Sequence, residues 1–135
     1  RADSCSAVPI VRIANVGLEP GQETLDSLLA GVKDGIYIEG RGSFSIDQRR
    51  YNFQFGGDAF WEIKDGKRGA MLKNVIYNGI TPEFWSSCDG VADRAHWQEH
   101  GFTNCGKGQP GQSGWMTHAA SHGRFRQINV IDPKA

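Results

Sequence analysis

The sequence predicts one α+β domain that is rich in β-structure, with an antiparallel sheet or partly closed barrel and one or two short helices. Three observations support this fold class. Branched and aromatic residues fall in several short runs, glycine-containing turns separate those runs, and only two segments carry helix signals. A length of 135 residues is typical of one domain with a hydrophobic core, so residues 1–135 are expected to form a single domain.

The first segments predict a strand followed by a helix. The apolar run AVPIVRIANV, at 7–16, is typical of a buried strand because it is rich in branched residues. Thr24 then provides an N-cap, and Gly35 is expected to end the helix. Four apolar residues share one face of that helix at helical spacing: Leu25, Leu28, Leu29 and Val32.

Short strands and a hairpin are predicted after the helix. GIYIEG at 35–40 and SFSID at 43–47 predict two strands. A third, half-buried strand is indicated by aromatic residues that alternate with polar ones: Tyr51, Phe53 and Phe55. Asp65-Gly66 lies between two extended arms, which predicts a tight hairpin turn.

The last part of the chain combines a brief helix with polar segments. Thr81-Pro82-Glu83 predicts a helix start, since proline at the first helical position loses no hydrogen bond. Residues 88–121 are predicted to be irregular and polar, and FRQINVI at 125–131 predicts a closing strand.

Composition narrows the functional classes. Lysine plus arginine numbers 15 and aspartate plus glutamate also 15, and this balance argues against direct nucleic-acid binding. The three cysteines, Cys5, Cys88 and Cys105, are odd in number and far apart, which favours a reducing, cytoplasmic compartment over a disulfide framework. No apolar run approaches the roughly 18 residues that span a bilayer, so no membrane partner is expected.

The histidines occur in two spaced pairs. HWQEH matches the inverted pattern of zinc peptidases, in which two histidines four residues apart on a helix share a metal. The polar surroundings do not favour the long buried helix that such a site requires, so we expect His96 and His100 on an irregular or exposed segment without a shared ligand. His118 and His122 have the same spacing but no acid or cysteine nearby in sequence, and are expected to be exposed or locally hydrogen-bonded.

Two further features have structural explanations. GKGQPGQSG at 106–114 lacks the Ser or Thr that follows the lysine of a P-loop, so it predicts a tight loop rather than a phosphate site. Most tryptophans are expected to pack in or beside the core rather than to form a sugar or peptide platform. They are Trp61, Trp85, Trp97 and Trp115.

Cys105 is the cysteine best placed for chemistry. It lies in a polar, glycine-rich stretch, and Lys107 two residues later favours the thiolate over the thiol. A thiolate is a good zinc ligand or nucleophile, although the sequence identifies no base to partner a nucleophile.

Four segments carry a resemblance that runs in order along most of the chain: PIVRIANVGLEPG at 9–21, LLAGVKDGIYIEGRGS at 28–43, RRYNFQFGGDAFWEIKDGK at 49–67 and NCGKGQPGQ at 104–112. Together they resemble the C-terminal part of TldD/PmbA proteins. These proteins are described as zinc-dependent peptidases and, in older usage, as modulators of DNA gyrase.

The resemblance implies a role for Cys105. In that family, zinc is held by two histidines of an HExxxH motif, whose glutamate is the general base, and by a cysteine of a downstream CGK sequence. The matching cysteine here is Cys105, and Gly106, Lys107 and Gln109 belong to its loop. HExxxH does not occur in this sequence, so we expect it upstream of Arg1 in a longer protein, and we expect the chain alone to be inactive and to bind no zinc.

The resemblance also implies small or unfolded peptides as substrates and a homodimer or heterodimer with a related subunit. Two alternatives remain open at this stage. One is a non-catalytic, β-rich module that binds peptides or proteins. The other is a self-contained zinc site made by His96, His100 and Cys105.

Overall fold

Twelve strands, two short α-helices and one 3₁₀ turn make up residues 1–131, the part of the chain that the computed structural model describes. The helices are α1 (Leu25–Ala30) and α2 (Thr81–Ser86), and the 3₁₀ turn is Arg94–His96. The strands are β1 (Asn15–Leu18), β2 (Asp34–Glu39), β3 (Phe44–Ile46), β4 (Asn52–Phe55), β5 (Ala59–Lys64), β6 (Lys67–Leu72), β7 (Ile76–Ile80), β8 (Cys88–Val91), β9 (Gln98–Lys107), β10 (Gln112–Ala120), β11 (Gly123–Phe125) and β12 (Asn129–Ile131).

The described strands form four open sheets. Their orders are β1-β10-β9, β11-β8, β12-β7-β4-β3 and β2-β5-β6. Neighbouring strands are antiparallel except for β1 and β10, which are parallel. The predicted β-rich, antiparallel fold class with short helices is therefore confirmed, with open sheets rather than a closed barrel over residues 1–131.

The predicted helix is confirmed but ends early. The Thr24 side chain accepts a hydrogen bond of 3.1 Å from the Ser27 amide, as an N-cap does. Helix α1 ends at Ala30, with Gly31 as its C-cap. The carbonyls of Val32 and Lys33 accept hydrogen bonds of 2.8 Å from the amides of Gly66 and Asp65 in the β5–β6 turn, so they are paired outside the helix. Of the four apolar residues on the predicted face, Leu28 is buried and Leu25, Leu29 and Val32 are half-buried.

The predicted hairpin and short strands are present. Asp65 and Gly66 have φ values of 45° and 78°, the left-handed conformations that a two-residue turn of this kind requires. The predicted strands at 35–40 and 43–47 correspond to β2 and β3. In β4, Phe53 is buried, whereas Tyr51 lies before the strand and is exposed.

An aromatic cluster packs beside α2, with Phe53 buried and Phe84 and Phe125 half-buried. The rings of Phe84 and Phe125 stack with centroids 4.1 Å apart, and Phe53 contacts Phe84 edge-on at 5.1 Å. The predicted helix start is confirmed at Thr81, but the residue at the cap is Ile80, which makes no side-chain bond. Helix α2 therefore depends on this aromatic packing and on Pro82 rather than on a polar cap.

The prediction of a buried strand at 7–16 is wrong. Only β1 is a strand in this region, and Val8, Val11 and Ile13 are all exposed. The segment 1–13, which we call the N-terminal arm, takes most of its long-range hydrogen bonds from side chains instead of a strand ladder. The branched residues of this segment gave the sequence pattern of a buried strand. The arm itself does not pair as a strand, and these side chains stay exposed.

The prediction that 88–121 is irregular is also wrong. Strands β9 and β10 form a hairpin of 10 and 9 residues with a bulge between Gly114 and Met116, and β8 precedes it. Most β9 side chains are exposed, so the apolar alternation that marks a strand is missing. The predicted closing strand is divided into β11 and β12, which belong to different sheets, with Gln127 at φ 55° between them.

Candidate functional site

Cys105 lies near the tip of the β9–β10 hairpin. It is half-buried, its thiol is free, and it lies opposite Gly114 on β10. The tip is a turn in which Gly108 has φ 92°, so the predicted tight loop is confirmed. A β-carbon on Gly106, next to Cys105, would have no atom within 4 Å, which means that one side of this segment is open.

The N-terminal arm lies along the hairpin tip and is hydrogen-bonded to it. Lys107 donates from Nζ to the Val11 carbonyl at 2.6 Å, and Gln112 donates from Nε2 to the Val8 carbonyl at 2.7 Å. The Asp3 carboxylate accepts from the Ser113 amide at 3.0 Å. The first two bonds satisfy carbonyl groups of the arm and the third satisfies an amide of β10, all without a strand ladder.

Arg12 contacts the backbone of Cys105. Its Nη1 donates to the Gln112 carbonyl at 3.2 Å, and its Nη2 donates to the Cys105 carbonyl. Its Nε is buried and has no acceptor among the described residues. Sequence reasoning missed Arg12, because its partners lie 93 and 100 residues away and leave no local signal.

The predicted loop residues around Cys105 have different surroundings. The ammonium of Lys107 donates a hydrogen bond to the Val11 carbonyl, whereas Gln109, in the turn, is exposed. The described residues contain no group of three or more His, Cys, Asp or Glu side chains that could hold a metal. Within residues 1–131, Cys105 is therefore a single candidate donor rather than part of a complete metal site.

The two histidine pairs are rearranged by the hairpin. His100 on β9 lies opposite His118 on β10, and both are exposed. The His96 ring, at the end of the 3₁₀ turn, lies edge-on to His122 with centroids 5.6 Å apart, and its Nδ1 is 3.2 Å from a carboxylate oxygen of Asp93. This arrangement does not bring His96 and His100 together with Cys105, so the alternative of a self-contained zinc site is wrong.

A second polar cluster surrounds His122. Its Nδ1 is 3.5 Å from the hydroxyl of the buried Tyr37, whose ring lies under the guanidinium of Arg68 at 4.5 Å. Burial, followed by the charge of His96, lowers the pKa of His122. Burial, followed by the charge of Glu39, raises the pKa of Tyr37. The sequence did not indicate this cluster, because its members come from four separate segments.

The tryptophans divide between packing and exposure. Trp61 and Trp97 are half-buried, and Trp61 packs against Tyr37 at 5.8 Å. Trp85 is 52% exposed and Trp115 is 75% exposed, so the prediction that most tryptophans are packed holds for only half of them. Within residues 1–131, no helix is long and apolar enough to cross a bilayer.

The fold agrees with comparisons to known proteins. The architecture is that of a β-rich domain that presents one thiol on a hairpin tip. Residues 1–124 match the profile of the PmbA/TldA metallopeptidase C-terminal domain. The chain belongs to this family.

Two curated relatives show the same relationship. A metalloprotease of Methanothermobacter thermautotrophicus is 31% identical over 122 residues, which cover 90% of this chain and 26% of that protein. A metalloprotease TldD homolog of Haemophilus influenzae is 31% identical over 107 residues, covering 79% of this chain and 22% of the relative. The chain thus spans about a quarter of the length of these relatives.

Two solved structures share the fold. One is a Thermotoga maritima protein named for a proposed role as modulator of a DNA gyrase, with a TM-score of 0.66 and 12% identity over 87% of this chain and 24% of that one. The other is TldE of Thermococcus kodakarensis, with a TM-score of 0.63 and 16% identity over 87% of this chain and 23% of that one. At these identities the likeness concerns the fold alone.

Proposed function

We propose that this chain is the C-terminal domain of a TldD-type zinc metallopeptidase and that Cys105 supplies a thiolate ligand to the catalytic zinc. The remaining ligands and the general base would come from an HExxxH motif outside this sequence. The observation that carries the proposal is the location of Cys105, half-buried at a fixed hairpin tip whose neighbouring Gly106 faces open space. Membership of a metallopeptidase domain family supports it.

The donor chemistry at the tip fits a zinc ligand in part. Thiolate sulfur is a preferred donor for zinc, and the thiol of Cys105 is free. One donor cannot hold zinc tightly, because catalytic sites normally have three protein ligands. We therefore expect Gly106, Lys107 and Gln109 to shape the loop and to leave metal binding to Cys105.

The chain's own contribution to catalysis would be to hold and orient this ligand. When bound, zinc supplies Lewis acidity and a water whose pKa is lowered toward about 7. The hairpin keeps Cys105 at a set position through its pairing with β10, and the glycine-rich tip permits close approach of another part of the protein. Thiolate charge donated by Cys105 would soften the Lewis acidity of the metal compared with a neutral ligand.

Small or unfolded peptides are the substrates that we propose. Strand β9 is at the edge of its sheet and carries Cys105 close to its end. An extended peptide pairing with β9 through its main chain would pass the metal ligand, and such pairing accepts many sequences. A β-carbon on Gly101, midway along β9, would meet no atom within 4 Å, so the face of the strand is open at this position.

We further propose that the intact protein works in the cytoplasm as a homodimer or as a heterodimer with a related subunit, without direct nucleic-acid binding. The absence of a net charge supports the last point. The free cysteines support a reducing compartment.

Cys105→Ser in the intact protein is the direct test. The serine hydroxyl stays protonated at neutral pH, so we expect zinc content and peptidase activity both to fall severely, by about 10²-fold or more in activity. Cys5→Ser and Cys88→Ser are the matched controls and should keep both. Normal zinc content and turnover in Cys105→Ser would exclude Cys105 as the ligand. The present chain alone should bind little zinc and hydrolyse no peptide.

A non-catalytic module that binds peptides or proteins is the second candidate. The exposed apolar side chains of Val11 and Trp115, 82% and 75% accessible, favour it. This candidate predicts that all three cysteine variants of the intact protein behave alike, so the same experiment decides between the two functions.

A further inference from the structure

The guanidinium of Arg12 joins the two strands of the hairpin at the level of Cys105. It donates to the carbonyl of Cys105 on β9 and to the carbonyl of Gln112 on β10. We propose that Arg12 is the positioning residue for Cys105, and that its fork fixes the hairpin tip in the geometry in which the thiolate meets the metal. This inference rests on the proposed role of Cys105 as a zinc ligand.

Gly114 makes this contact possible. It is buried and lies opposite Cys105, and a β-carbon built on it would be 3.2 Å from Nε and 3.5 Å from Cζ of Arg12. Even a methyl group at this position would therefore require the guanidinium to shift by a few tenths of an ångström. Gly114, opposite the candidate ligand Cys105, therefore leaves the space in which the side chain of Arg12 lies.

The contact requires arginine and not merely a positive charge. Two acceptors on different strands need two donors that are held at a fixed angle to each other. The planar guanidinium of arginine provides such a fork, whereas the ammonium of lysine, on a flexible stem, does not. The third donor, Nε, faces Gly114 and has no acceptor among residues 1–131, so it costs stability rather than adding to it.

The positive charge of Arg12 is a property separate from its hydrogen-bonding fork. Its acceptors are two neutral carbonyl oxygens, so the cation is not neutralised by them. The fork and the charge can be separated experimentally, because lysine keeps only the charge.

The first experiment compares Arg12→Lys with Arg50→Lys in the intact protein. Arg50 is a matched control, because its Nη1 also donates to a carbonyl, that of Asp47 at 2.9 Å, but on an exposed turn far from Cys105 in sequence. Alkylation of Cys105 by iodoacetamide, followed by mass spectrometry of its peptide, and hydrogen exchange over residues 104–114 report the tip directly. In Arg12→Lys we expect both to accelerate by about tenfold, with a melting temperature within a few degrees of the control.

The second experiment measures ligation with cobalt in place of zinc. A thiolate ligand gives bound Co²⁺ a sulfur-to-metal charge-transfer band in the near ultraviolet. We expect Arg12→Lys to lose more than half of this band per bound cobalt, and Arg50→Lys to keep it. If Arg12→Lys does not fold, Gly114→Ala displaces the guanidinium while keeping the arginine, and should give the same two changes.

The two failures can be distinguished. An unchanged band, alkylation rate and exchange rate in folded Arg12→Lys or Gly114→Ala would overturn the positioning role of Arg12. A missing band in the unsubstituted protein would instead overturn Cys105 as a ligand, and the alkylation and exchange rates would still decide whether Arg12 fixes the tip.

Discussion

Burial of His122 couples the stability of this domain to pH. The groups that face its ring are the Tyr37 hydroxyl, the His96 imidazole, the Glu39 carboxylate and the Arg68 guanidinium. Burial and then the charge of His96 lower the pKa of His122 below its ordinary 6.5. The unfolded chain therefore binds a proton more readily, and stability that is fully present above about pH 6.5 is lost as the pH falls through the folded pKa.

His122→Gln should reduce this pH dependence. We expect the free energy of unfolding, from urea titrations at about pH 7 and about pH 5, to fall less in the variant than in the unsubstituted chain. His118→Gln is the control, because His118 is exposed on β10. An equal fall in the His122→Gln variant and the unsubstituted chain would show that His122 does not contribute to the acid sensitivity.

Asp89 holds two arginines that link β8, β11 and α1. Its carboxylate accepts from Nε of Arg124 at 2.7 Å and from Arg126, and Arg124 also donates to the Leu28 carbonyl at 2.9 Å. The hydrogen bond from Arg124 is the main reason why the pKa of Asp89 lies below its usual 3.8. Because a third of the Asp89 side chain is exposed, solvent screening limits the value of the pair.

Asp89→Asn should destabilise the domain by about 1 kcal/mol at neutral pH. The difference from the unsubstituted chain should vanish as the pH falls through the folded pKa of Asp89, since a depressed carboxyl pKa contributes stability only above that range. Urea titrations at neutral and at strongly acidic pH measure it. A difference that persists at acidic pH would assign the loss to packing.

Single residues were predictable where their partners are local. The Thr24 side chain accepts a hydrogen bond from the amide of Ser27, three residues later. Threonine is common at N-caps, so the residue type itself indicates this cap. Arg12 and Tyr37 could not be predicted, because their partners lie 93 and 85 residues away and are chosen by the tertiary fold.

At the scale of elements, the Asp65-Gly66 turn joins one hairpin to the end of helix α1. Gly66 has φ 78°, and a β-carbon there would lie 2.8 Å from the Cα of Ala30. Gly66→Ala combines backbone strain with a backbone clash, so we expect a loss of about 2 kcal/mol in the free energy of unfolding.

Gly101→Ala is the matched control for Gly66→Ala. Gly101 lies on β9, where an added β-carbon meets nothing within 4 Å. Urea titration of both variants should separate them clearly. Equal stability of the two would mean that the turn shifts to accept a side chain.

Elements were predictable where one face is buried and not where both faces are exposed. The signal of α1 comes from a single apolar face, and that of the β5–β6 hairpin from its turn residues. The arm at 1–13 is apolar but carries exposed side chains, and β9 is a strand with mostly exposed ones. Both segments are maintained by long-range hydrogen bonds, and such bonds leave no hydrophobic periodicity in the sequence.

At the scale of the whole molecule, the surface of the isolated chain is unusually apolar along the arm and the adjacent strand. Val8, Val11 and Ile13 are 76%, 82% and 63% exposed, and Trp115 on β10 is 75% exposed.

We expect the chain to self-associate in a concentration-dependent manner. Light scattering after size-exclusion chromatography measures the mass, and Val11→Ser with Trp115→Ser should reduce association. Phe44→Ser, on β3, is the control, and an equal effect there would point to a different surface.

The fold class of the molecule followed from the short apolar runs and the turn residues. The sequence also indicated Cys105 as a candidate metal ligand, and this role stays a prediction, since three metal-ligating side chains do not meet within the described residues. A single candidate donor indicates its own chemistry but not the geometry of the site that it would join.

The hydrogen bonds between the N-terminal arm and the hairpin tip also determine the order in which parts of the chain can become structured during biosynthesis. They join residues 93 to 110 positions apart, so the arm leaves the ribosome long before its partners exist. At about 5–20 residues per second, the arm waits about 5–20 s for them. Throughout that interval Arg12 has neither carbonyl to bind, and closing so long a loop carries an entropic cost that only the finished hairpin offsets. The segment carrying Cys105 is therefore among the last parts of the nascent domain to become ordered.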